Sequence, residues 1–98
     1  MSYSRKEVIN KLSQLLPDLK QEYAVSSLGL FGSFARDEQS DNSDLDVLVE
    51  FNQPIGLKFF ELKMYLEKVF NNRVDLVTKK ALKPRLAPII LTEVIDIE

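Results

Sequence analysis

A chain of 98 residues, 45% apolar and 29% charged, is expected to fold as a single domain over residues 1–98 with one core and no separate lobe. Its net charge of −2 argues against direct nucleic-acid binding. The absence of both Cys and His removes disulfides, thiol nucleophiles, Ser-His-Asp triads and imidazole metal sites. Carboxylates, hydroxyls and backbone amides remain for chemistry, a donor set that suits a hard cation such as Mg²⁺. No apolar stretch approaches the roughly 20 residues of a membrane helix, and the opening MSYSRKEV lacks the apolar region of a signal peptide, so no membrane association and a cytoplasmic location are expected.

In chain order, Ser4 and Glu7 form a capping-box pattern, and Val8, Ile9, Leu12, Leu15, Leu16 and Leu19 recur at helical spacing. Pro17 interrupts that helix, which predicts a kink or a break there. Ala24 to Phe31 follows as a strand running into Gly32-Ser33, and the polar segment DEQSDNS over 37–43 is a loop. Asp44 to Phe51 is the clearest strand, with Leu45, Val47 and Val49 on one face and Asp44 and Asp46 on the other. Phe59, Leu62, Leu66, Val69 and Phe70 mark an amphipathic helix ended by Asn71-Asn72. Arg73 to Thr78 is a short third strand, and an apolar helix or turn runs through Ile89, Ile90, Leu91, Val94 and Ile95. The expected fold is a small α/β (α+β) domain, a mixed sheet of about three strands packed with helices.

Charge is unevenly placed. Residues 37–50 carry six acids and no base, whereas residues 73–85 carry five bases against Asp75 alone. Asp44 and Asp46 lie two apart on one strand face, about 6.6 Å apart along the chain, where they repel unless a cation neutralises them. Such a pair alone reads more readily as an acidic solvent face. Gly32 lets the backbone approach a ligand closely, Ser33 adds a hydroxyl donor, and Arg36 a charge suited to phosphate. Asp75 stands between apolar Val74 and Leu76, so its side chain takes the opposite face. If its strand lies beside that of Asp46, three carboxylates converge on a point facing Ser33, an arrangement able to hold two Mg²⁺ ions about 4 Å apart for phosphoryl-type transfer.

Phe31-Gly32-Ser33, ten intervening residues, Asp44-Leu45-Asp46-Val47 and then Val74-Asp75-Leu76 resemble the signature of the DNA polymerase beta-like nucleotidyltransferase superfamily. The string GSFARDEQSDNSDLDVLVEF is similar to the minimal nucleotidyltransferases of prokaryotes, with Asp37 standing where they usually carry Gly. The resemblance implies a nucleotidyltransferase-type catalytic core. Gly32 and Ser33 would hold the triphosphate of ATP, Arg36 would support the loop or the phosphates, and Asp44, Asp46 and Asp75 would bind two Mg²⁺ ions. Asp75 would also help deprotonate the acceptor hydroxyl. It further implies an antitoxin that transfers AMP to a tyrosine of a partner HEPN-domain toxin. Two other readings stand beside it: a catalytically idle antitoxin that neutralises its partner by contact, and the catalytic subunit of a small-molecule nucleotidyltransferase. The apolar stretch from Leu86 to Ile97 is either a docking surface or part of the domain's own core.

Overall fold

The first helix, α1 (Arg5–Tyr23), starts where the sequence says it should. Ser4 Oγ accepts the Glu7 N–H at 3.1 Å, and Glu7 Oε1 accepts the Ser4 N–H at 2.9 Å, a reciprocal capping box in this computed structural model, which describes residues 3–98. Val8, Leu12, Leu16 and Leu19 are all buried, one apolar stripe along the whole helix. Pro17 does not break it. The proline lies on the exposed face, so the carbonyl it leaves without a partner opens to water, while leucines on both sides hold the two halves to one core.

Strand β1 (Val25–Phe31) leads into a one-turn helix, α2 (Gly32–Ala35). After the polar loop come strand β2 (Leu45–Phe51), helix α3 (Lys58–Phe70) and strand β3 (Val74–Thr78). A 3₁₀ turn (Lys79–Ala81), helix α4 (Ala87–Glu93) and strand β4 (Ile95–Ile97) complete the chain. The sheet has four strands in the order β3-β2-β1-β4, one more than the sequence predicts. The segment expected as a final helix or turn divides, and its last three residues pair antiparallel with the free edge of β1. A three-residue strand is too short to show a period of its own; pairing with β1 makes it.

β1 and β2 are antiparallel, whereas β2 and β3 are parallel, and α3 supplies the crossover that a parallel pair requires. One sheet face is apolar: Leu28, Leu30, Leu45, Val47, Val49, Val74 and Leu76 join the stripe of α1 and Leu62, Leu66 and Phe70 of α3 in one core. The other face carries Asp46, Glu50 and Asp75. Helix α4 buries no side chain, and Leu86, Ile89 and Leu91 are exposed. Of the stretch 86–97, Ile97 alone is buried. No helix among the described residues is long and apolar enough to cross a membrane.

Pro17 costs α1 a backbone hydrogen bond, and its own exposed ring adds no packing in return. Pro17→Ala is expected to raise stability by about 1–3 kcal/mol, read as a higher urea midpoint with an unchanged m-value.

Candidate active site

The parallel ladder between β2 and β3 pairs Leu45 with Val74, Asp46 with Asp75 and Val47 with Leu76. Partners in a parallel ladder share a face, so the burial of Val47 and Leu76 on one side places Asp46 and Asp75 together on the other. Asp75 is exposed and Asp46 half-buried. Asp44 sits just outside β2, exposed, its Oδ1 3.7 Å from the Nε of Arg73. Among the described residues no three carboxylates lie close enough together to form a ready-made metal site.

The turn at the end of β1 closes over Asp46. Gly32 has φ +75°, in the left-handed region, and a Cβ added to it would lie 2.0 Å from Asp46 Oδ2. The glycine that the sequence marks for approach to a ligand is thus first required by approach to a carboxylate. Burial, then Asp75, then Asp44 push the Asp46 carboxyl up to about 6; Arg36 opposes the rise and Glu93 adds to it. A half-desolvated acid facing a second acid is a donor set that favours a cation. Mg²⁺ commonly takes only one or two protein carboxylates and completes its shell with water and substrate phosphates, so the pair fits that ion without a third ligand in contact.

Arg36 is engaged by protein on both sides. Its Nε lies 2.7 Å from Glu38 Oε1 and its Nη1 3.0 Å from Glu93 Oε2, and these two carboxylates raise its pKa above the ordinary guanidinium value. The same Glu93 accepts the Gly32 N–H through Oε1 at 3.1 Å. Sequence reasoning misses Glu93, an acid at the end of an apolar helix with no spacing relation to the motif. It also misses Asn72, whose Nδ2 donates to the carbonyls of Ser43 (3.1 Å) and Arg73 (2.9 Å) and so ties the acidic loop to the start of β3. An Asn after a helix reads as a stop signal, which hides this second task.

The turn after α2 is a Schellman motif. Glu38 N–H reaches the Ser33 carbonyl at 2.8 Å and Asp37 N–H the Phe34 carbonyl at 3.3 Å, with Asp37 at φ +59°. Glycine suits that conformation best. Asp37→Gly is expected to stabilise the protein by about 0.5–1 kcal/mol, measured by chemical denaturation.

Asp46 yields a pH-dependent prediction. An acid whose folded pKa exceeds its unfolded value destabilises the fold wherever it is ionised. That cost is complete above about pH 6 and disappears as pH falls toward 3.8. In chelator, Asp46→Asn is therefore expected to melt higher than the parent at pH 7.5, with the difference shrinking through pH 6 and absent near the lower limit. Thermal melts across that range check both the sign and the window.

Comparisons with known proteins show the family and the fold. The family described as nucleotidyltransferase domain matches residues 12–97. The chain is 41% identical over 90 residues to the protein adenylyltransferase MntA of Thermococcus cleftensis, covering 91% of each chain. A solved structure provisionally described as a minimal nucleotidyltransferase superposes with a TM-score of 0.78 at 32% identity, covering 95% of both chains. A solved toxin–antitoxin complex with AMP-PNP superposes at 0.74 with 26% identity, covering 92% of this chain and 72% of that one.

Proposed function

The chain belongs to the nucleotidyltransferase domain family, and we propose that it transfers AMP from ATP, with Mg²⁺, to a tyrosine hydroxyl of a partner HEPN-domain toxin and so serves as the antitoxin. The observation that carries the reading is the apposition of Asp46 and Asp75 beside the glycine turn, an arrangement that stabilises nothing in the absence of a cation. The relatives support adenylyl transfer in a toxin–antitoxin setting: one is named a protein adenylyltransferase, and a structural neighbour is a toxin–antitoxin complex with a nucleotide analogue.

In this reading Ser33 and the backbone of the turn at Gly32 hold the triphosphate, and Arg36 holds the loop through Glu38 and Glu93. Asp44, Asp46 and Asp75 would hold the metal. Mg²⁺ bound there supplies the positive charge that offsets triphosphate and carboxylates together. The acceptor oxygen attacks the α-phosphorus of ATP; the new O–P bond forms as the α–β anhydride bond breaks, and pyrophosphate leaves. The hydroxyl proton passes to the carboxylate of Asp75, the more exposed of the apposed pair and so the one an acceptor reaches.

Mass spectrometry of the purified toxin after incubation with this protein and Mg²⁺-ATP tests the reading. A gain of one or more AMP units on a tyrosine peptide is expected, abolished by chelator. The rate should fall about 10²-fold or more in Asp46→Asn and Asp75→Asn. Neutralisation of the toxin without any change in its mass overturns the enzymatic reading in favour of inhibition by contact.

A further inference from the structure

Helix α4 is attached to the rest of the protein in an unusual way. None of its side chains is fully buried, so apolar packing holds it only in part. Glu93, in its last turn, adds a polar anchor. One carboxylate oxygen accepts the Gly32 N–H at 3.1 Å and the other lies 3.0 Å from Arg36 Nη1, and the side chain is only 19% exposed. The next residue, Val94, lies over Gly29 so closely that a Cβ there would come within 2.5 Å of its methyl group. The two contacts dock the end of α4 onto the last residues of β1 and the turn that follows.

Resting on the nucleotidyl-transfer reading above, the geometry points to Glu93 as a positioning residue for nucleotide binding, acting through Gly32 and Arg36 rather than on the nucleotide itself. Gly32 is the one residue of the turn without a side chain, and its left-handed conformation sets the direction in which the chain enters α2 and presents Ser33. A carboxylate that grips the Gly32 amide with one oxygen and the Arg36 side chain with the other spans the turn and holds that direction. The grip occupies the Gly32 N–H but none of Ser33 and the three aspartates, so Glu93 leaves Ser33 and the proposed metal ligands available. It does carry a cost, since its charge opposes ionisation of Asp46. Arg36, which favours that ionisation, lies against it and offsets the effect. Charge-assisted hydrogen bonds of this kind are roughly twice as strong as neutral ones, so the ion pair matters as well as the shape.

Titration calorimetry with Mg²⁺-ATP and amide hydrogen exchange on the ligand-free protein test the assignment. Glu93→Ala is expected to weaken Mg²⁺-ATP binding roughly tenfold, with Glu93→Gln in between because it keeps the acceptor for Gly32 but loses the ion pair. The Gly32 amide should exchange roughly tenfold faster in Glu93→Ala, independently of any nucleotide. Arg36→Ala should weaken binding less in the Glu93→Ala background than in the parent, since both act through one grip. Thr92→Ala removes the Thr92 hydroxyl contact with the Ile89 carbonyl inside α4 and touches neither Gly32 nor Arg36. It should leave both readouts at parental values. Should Glu93→Ala be poorly folded, Glu93→Gln carries the test alone, with its thermal melt as the control. Parental or tighter binding by folded Glu93 variants overturns the positioning role, as does a loss shared equally by Thr92→Ala. Failure of the parent itself to bind Mg²⁺-ATP overturns the nucleotide reading instead, and unchanged Gly32 exchange in the same samples then removes the grip as well.

Discussion

Two carboxylates are forced together by the burial of residues that are not acidic at all. Asp46 and Asp75 oppose each other because Leu45, Val47, Val74 and Leu76 must face the core, and pairing β2 with β3 in that register leaves the intervening acids no other place. A slip of one residue in either strand would send its aspartate into the interior. The magnitudes decide the matter. Burying each Val or Leu side chain contributes roughly 1.5–3 kcal/mol, whereas like charges opposed in a sheet cost up to about 1 kcal/mol. The core therefore holds the acids together against their repulsion, and a cation can exploit a site that the fold has already assembled.

The division of the sheet into two faces follows from the same constraint. Helices α1 and α3 cover the apolar face completely, and α3 is also the crossover that makes β2 and β3 parallel. The acidic face receives the turn at Gly32 and the end of α4, with Lys79 of the 3₁₀ turn against Glu50. Because Gly32 has no side chain, the Asp46 carboxylate can lie against the main chain, and this close approach half-buries the acid. Desolvation is the largest of the influences that raise its pKa. Geometry and electrostatics at this point are one fact seen twice.

The C-terminal segment closes the arrangement. β4 covers the free edge of β1, and immediately before it Glu93 reaches back to the start of α2, 61 residues earlier in the chain. Arg36 is thereby shared between a near neighbour, Glu38, and a distant one. A loop held by its own residues alone would have the Schellman bonds, the Arg36–Glu38 ion pair and the contacts among Ser40, Asn42 and Ser43 to order it. The long-range clasp makes the turn part of the sheet's framework.

The sequence by itself determined the elements whose signal is local. The capping box at Ser4, the stripe from Val8 to Leu19, the alternation of Leu45, Val47 and Val49, and the Asn stop after Phe70 each act over a few residues, and each appears where the pattern puts it. The family resemblance likewise rests on contiguous motifs, Gly32-Ser33 and Asp44-Leu45-Asp46. What needed the tertiary structure was every relation between distant residues. Pro17 sits in an unbroken helix because packing on both sides outweighs the lost hydrogen bond. β4 exists because β1 offers it an edge, and Glu93 matters because the returning chain brings it to Gly32 and Arg36. Asp44 carries the same motif signal as Asp46 but lies outside the strand near Arg73, a difference no alternation pattern encodes. Periodicity reports which face a residue takes within its own element; which residues then meet across that face is decided by the register of strands far apart in the chain, and register is set by the shared core.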